Sequence, residues 1–87
     1  MSMKFITTRD EAGVEEVFVF PERIHHDAMA EMLGRIKNQT HGDWHRVMRK
    51  PVAAGFVNDR FECHGLSETL KLSARAEDTL LLAKQRG

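Results

Sequence analysis

Between residues 52 and 72, VAAGFVNDRFECHGLSETLKL, strand signals and turn signals interlock closely enough to limit the chain to an antiparallel arrangement. Val52, Ala54 and Phe56 alternate with Ala53, Gly55 and Val57, after which Asn58-Asp59 supplies two residues that tolerate left-handed backbone angles. Phe61 and Cys63 resume the alternation, so a hairpin is expected. Gly65 then interrupts a run that continues as Leu66, Glu68, Leu70 and Leu72 on one side and Ser67, Thr69 and Lys71 on the other. This predicts a strand that bends and goes on, letting a small sheet curl around its core. Gly55 in the facing strand leaves room for another backbone to approach.

Upstream, residues 3–8 (MKFITT) and 14–20 (VEEVFVF) are rich in β-branched and aromatic side chains and flank Asp10-Glu11-Ala12-Gly13, a tight turn. In the second of these strands Phe18 and Phe20 face one way and Val17 and Val19 the other. Its far end is therefore expected mid-sheet, with Glu15 and Glu16 in solvent. Pro21 stops the strand. Met29, Met32, Leu33 and Ile36 recur at helical spacing, which predicts a helix over residues 27–39, capped by His26 or Asp27 and containing Gly34 where a neighbour packs closely. A polar loop follows, then a short strand over residues 44–49 that kinks at Lys50-Pro51. Ser73 is placed to cap a last helix over residues 75–85, with Glu77 and Asp78 in its first turn and Lys84 and Arg86 at its end, as the helix dipole favours.

The order β-β-α-β-β-β-α predicts an α+β fold: an antiparallel, strongly bent sheet, half-barrel or sandwich, with two helices packed on it. Residues 1–87 are expected to form a single domain, and a chain of this length has a thin core. The turns are too short for the crossovers of a parallel sheet.

Lys50-Pro51-Val52-Ala53-Ala54-Gly55-Phe56-Val57, then Gly65-Leu66-Ser67-Glu68-Thr69-Leu70-Lys71-Leu72, then Arg75 with Glu77-Asp78, resembles small uncharacterised proteins of proteobacterial and phage genomes, over most of the chain. The resemblance implies a bacterial accessory or prophage-derived protein and transfers no functional residue.

Thirteen basic and thirteen acidic side chains cancel, which argues against a nucleic-acid binder driven by counterion release. The balance is uneven along the chain: residues 1–43 carry five bases against eight acids and residues 44–87 the reverse, an asymmetry that vanishes if the halves fold against each other. No run is long enough for a bilayer, MSMKFITT lacks the apolar stretch of a signal peptide, and Cys63 is the only cysteine; the expected location is the cytoplasm.

Five histidines invite a metal reading. His41 and His45 have helical i, i+4 spacing, with Cys63 or His64 to complete the set. Gly42 and Asp43 between the first two favour a loop, however, and neither paired cysteines nor a His-Glu-x-x-His helix is present, so surface or capping histidines are the simpler account. A Cys63–His64 nucleophile pair fails because neighbours on a strand point to opposite faces. Ser67 lacks the Gly-x-Ser-x-Gly elbow, and Glu62 and Glu68 fit a solvent face.

Trp44, Arg46, Arg49 and Lys50 are the one basic cluster with an aromatic, the combination that single-stranded nucleic acids stack on, though a solvated strand edge with Trp44 over the core explains it as well. Leu80, Leu81 and Leu82 are consecutive, and one helix face cannot bury all three. The expected function is therefore a non-enzymatic interaction module, without a cofactor, that binds itself as a homodimer through Leu80, Leu81 and Leu82 or binds another protein. Single-stranded nucleic-acid binding and histidine-based metal binding are the alternatives, and no membrane partner is expected.

Overall fold

A computed structural model describes residues 3–34, 37–40, 43–46 and 49–87. The first hairpin forms as its sequence predicts: β1 (Met3–Asp10) pairs antiparallel with β2 (Glu15–Pro21), Ile6 opposite Phe18. Asp10 makes the turn by accepting from the Ala12 and Val14 N–H groups, while Gly13 takes a positive φ. Pro21 ends β2, and its carbonyl accepts from Ile24 N–H to aim the chain into α1 (His26–Gly34).

This helix is shorter than the expected span of 27–39. Its described span is His26–Gly34, and Lys37–Thr40 is strand β3, antiparallel to β4 (Asp43–Arg46) in a two-stranded sheet of its own, so the helix does not run on to residue 39. Ile36, the last member of the helical stripe, lies outside the described residues, as do residues 47–48 of the predicted strand 44–49. β5 (Arg49–Val57) runs through Pro51, and its register against β1 shifts between Thr7 and Thr8, opposite the proline, an irregularity at the place where the sequence predicts a kink.

The main sheet has the order β2-β1-β5-β6, all antiparallel and curled as a half-barrel, with β6 at Cys63–His64. β2 is thus an edge strand and not mid-sheet; its apolar character comes from helices covering it, not from strands on both sides. β1 lies between β2 and β5, and its Phe5, Ile6, Thr7 and Thr8 are buried. The turn from β5 to β6 spans five residues, with Asn58 accepting from the Arg60 and Glu62 N–H groups and the left-handed residue being Phe61. Phe61 therefore sits in the turn and not in the strand.

The run expected to continue as one strand past Gly65 folds back on itself, as β7 (Leu66–Ser67) and β8 (Leu72–Ser73) pair across a turn. Ser67 Oγ accepts from Leu70 N–H, and Lys71 takes a positive φ. The chain closes with α2 (Ala76–Arg86). The helices take opposite faces of the sheet. Leu33 of α1 packs with Ile6, Phe20 and Ala54, where Leu70 and Leu72 of the small hairpin join it. Leu82 of α2 packs with Phe5, Val17, Ala53 and Val57.

Candidate functional site

α2 is pinned to the sheet at both ends. At its start the Asp78 carboxylate is fully buried, accepting from Thr7 Oγ1 at 2.8 Å, from the Arg75 backbone N–H at 2.7 Å and from Arg75 Nη2 at 2.7 Å. Arg75 also reaches Glu15 at 2.7 Å, and Arg9 meets the same carboxylate from the other side. Arg75 first and Arg9 second hold the Glu15 carboxyl at about 2, well below its ordinary 4.5, and the two carboxylates in turn raise the Arg75 guanidinium above its usual value. The cap is therefore Arg75 with Asp78, not Ser73, which is committed to β8.

At the other end Gln85 reaches the edge of the sheet, where its carboxamide oxygen accepts from Val17 N–H at 2.6 Å and its nitrogen donates to the Val17 carbonyl at 2.9 Å. Between these anchors the three leucines separate. Leu82 is 5% exposed in the core, Leu81 packs at the core's margin, and Leu80 is 73% exposed between the exposed Ala76 and Ala83. Of the predicted interface residues, only Leu80 is available to a partner without the helix leaving the sheet.

The basic cluster is divided between β4 and β5. Arg49 is occupied, with Nη1 on Glu16 at 3.1 Å and its guanidinium 5.3 Å from the centre of the Phe18 ring. Lys50 is exposed and lies opposite Arg9 in register. Trp44 and Arg46 belong to β4, whose register sets them opposite Gln39 and Lys37.

Of the metal candidates, His41 lies outside the described residues and His45 is paired in register with Asn38. Cys63 joins the α2-side cluster, whereas His64 stacks on Phe56 at 6.2 Å between ring centres. Burial pushes the Cys63 thiol up to about 11, the Thr79 hydroxyl opposing the rise only in part, so at neutral pH it stays protonated. Among the described residues no three of His, Cys, Asp or Glu converge as a metal site would need.

A cleft that the sequence reading did not anticipate opens between the start of α1, β5 and the β7–β8 turn, about 440 Å³ in volume and lined by Lys4, His25, His26, Phe56, Leu66, Glu68 and Thr69. His26 is 6% exposed, its Nε2 donating to the Gly55 carbonyl at 2.8 Å and its ring edge-on to Phe20 and Phe56. Burial lowers its pKa below 6.5, the Gly55 carbonyl opposing the shift only in part, which leaves a neutral, oriented imidazole. Nothing local in Arg23-Ile24-His25-His26 tells the buried histidine from the exposed one. No family model, no curated protein and no solved structure matches this chain.

Proposed function

We propose that the protein is a non-enzymatic interaction module of the cytoplasm that acts as a homodimer through the outer face of α2. Leu80 carries this reading: a large apolar side chain, 73% exposed, on a helix whose two ends are fastened to the sheet, with Ala76 and Ala83 on one side of it and the exposed Glu77 and Lys84 on the other. Because the anchors fix the helix, pairing costs little ordering entropy. A two-fold contact needs no other gene product. The chemistry of the other groups agrees: Cys63 stays protonated, His64 faces away from it, and the Arg75, Glu15 and Asp78 charges satisfy one another. Light scattering after size exclusion tests the proposal. A mass twice 10.0 kDa is expected for the parent chain and 10.0 kDa for Leu80→Asp, and a parent mass of 10.0 kDa that does not change on concentration would sink it.

A second reading, a single-stranded nucleic-acid module, is favoured by the ribbon β3–β4. The register brings Lys37 opposite Arg46 and Gln39 opposite Trp44, with exposed Lys50 just beyond at the start of β5. Binding of short single strands that weakens steeply with salt and is lost in Trp44→Ala would support it, and no binding at low salt would end it.

A further inference from the structure

The sheet ends at β2, and an edge strand presents a row of N–H and C=O groups able to pair with another chain. In β2 the groups facing outward belong to alternate residues. Val17 is one of them, since both its groups bond Gln85 instead of β1, and the ladder's alternation gives Val19 the same outward direction. Charges stand only at the strand's beginning, Glu15 and Glu16, and proline only at its end; the middle, Val17-Phe18-Val19, is β-branched and aromatic.

At that unprotected middle Gln85 makes, with one carboxamide, the same two hydrogen bonds that a residue of an added antiparallel strand would make. We propose that the β2 edge is a pairing surface for the β2 edge of a second copy of this chain, and that Gln85 is the stopper that holds it closed. The edge is complementary to itself about a two-fold axis at Phe18. Val17 of one copy then lies opposite Val19 of the other, giving four backbone hydrogen bonds, and each Glu15 faces Pro21 and each Glu16 faces Phe20, so no acid meets an acid.

Pairing requires both copies to release Gln85, which gives up two bonds per chain and recovers four in all. Hydrogen bonding alone therefore does not drive the exchange, and removing the glutamine shifts the equilibrium toward pairing. Gln85 is exposed and lies in the last turn of α2, where helices open most readily. This edge is distinct from the outer face of α2, and the inference stands whether or not α2 pairs.

The experiment is done in a Leu80→Asp background so that only the β2 edge is read. Adding Gln85→Ala is expected to double the mass in sedimentation as concentration rises. It should also slow Val19 amide exchange about tenfold, the protection one hydrogen bond gives. Gln85→Glu, which keeps the size but sets a carboxylate against the Val17 carbonyl, is expected to do the same. Val19→Pro, which removes one outward N–H, should return either protein to a monomer. The proposal is overturned if both Gln85 variants stay folded and monomeric to their solubility limit, or if they dimerise and Val19→Pro leaves the dimer intact.

Discussion

Gly55 joins two parts of the structure through one missing side chain. A Cβ there would collide with the His64 carbonyl oxygen of the neighbouring strand and come within 3.1 Å of the Phe5 ring, while its own carbonyl holds His26. Gly55→Ala is therefore expected to cost about 3 kcal/mol, the upper end for overpacking, because backbone must move. Urea unfolding measures the loss, and a free energy unchanged within error would remove the claim. Close approach at Gly55 was legible in the sequence, and the carbonyl that approaches it comes from the second strand of the same hairpin; the buried imidazole was not legible, since His26 arrives from an element distant along the chain.

Two titrations set the response to acid. The unfolded His26 takes a proton near 6.5, more readily than the buried one, so its contribution to stability is full above that pH and declines below it. Glu15, at about 2 when folded against 4.5 otherwise, contributes fully above 4.5 and loses its contribution as the pH falls toward 2. Urea midpoints should thus fall in two stages. His26→Gln, which retains an N–H for the Gly55 carbonyl, should flatten the first stage, and Glu15→Gln the second. A profile level from pH 7 to 4.5 would count against the buried histidine.

Among the elements, α2 shows most plainly what a local reading reaches. Its acidic first turn and basic last turn are visible from Ala76 to Arg86, and the helix is where they place it. Its cap is not visible, because arginine offers no acceptor to a helix start, and Arg75 serves only through Asp78 on the helix and Glu15 across the sheet. Alternation over residues 66–72 has the same limit: it specifies two faces but not whether the strand continues, and the Ser67 hydroxyl bonding Leu70 N–H turns it back. The anchor of α2 has a measurable consequence. Asp78→Ala leaves the Thr7 hydroxyl buried without its acceptor and Arg75 short of a charge, which should cost about 3 kcal/mol, the lower end for breaking a buried pair because Arg75 is partly exposed. Asp78→Asn, which keeps an acceptor for Thr7, should cost less. Equal losses for the two variants would show that the charge contributes everything and the hydroxyl nothing.

At the scale of the whole molecule, surface is the relevant quantity. The chain exposes 6046 Å², whereas a folded monomer of its mass is expected to expose about 5,200 Å², and it extends 39 × 27 × 21 Å. Two helices on opposite faces of a four-stranded sheet leave each core one layer of side chains deep, so stability gained by association should be a visible part of the total. If folding and pairing are one transition, the thermal midpoint must depend on concentration. Each tenfold rise adds about 1.4 kcal/mol per dimer, which for two chains of this length corresponds to about 4 °C. Calorimetry across a hundredfold range should therefore move the parent's Tm by about 8 °C. The Tm of Leu80→Asp should stay where it is at every concentration, since that substitution removes the contact without touching either core. A parent midpoint equally indifferent to concentration would mean that the exposed leucine of α2 serves something other than a second copy.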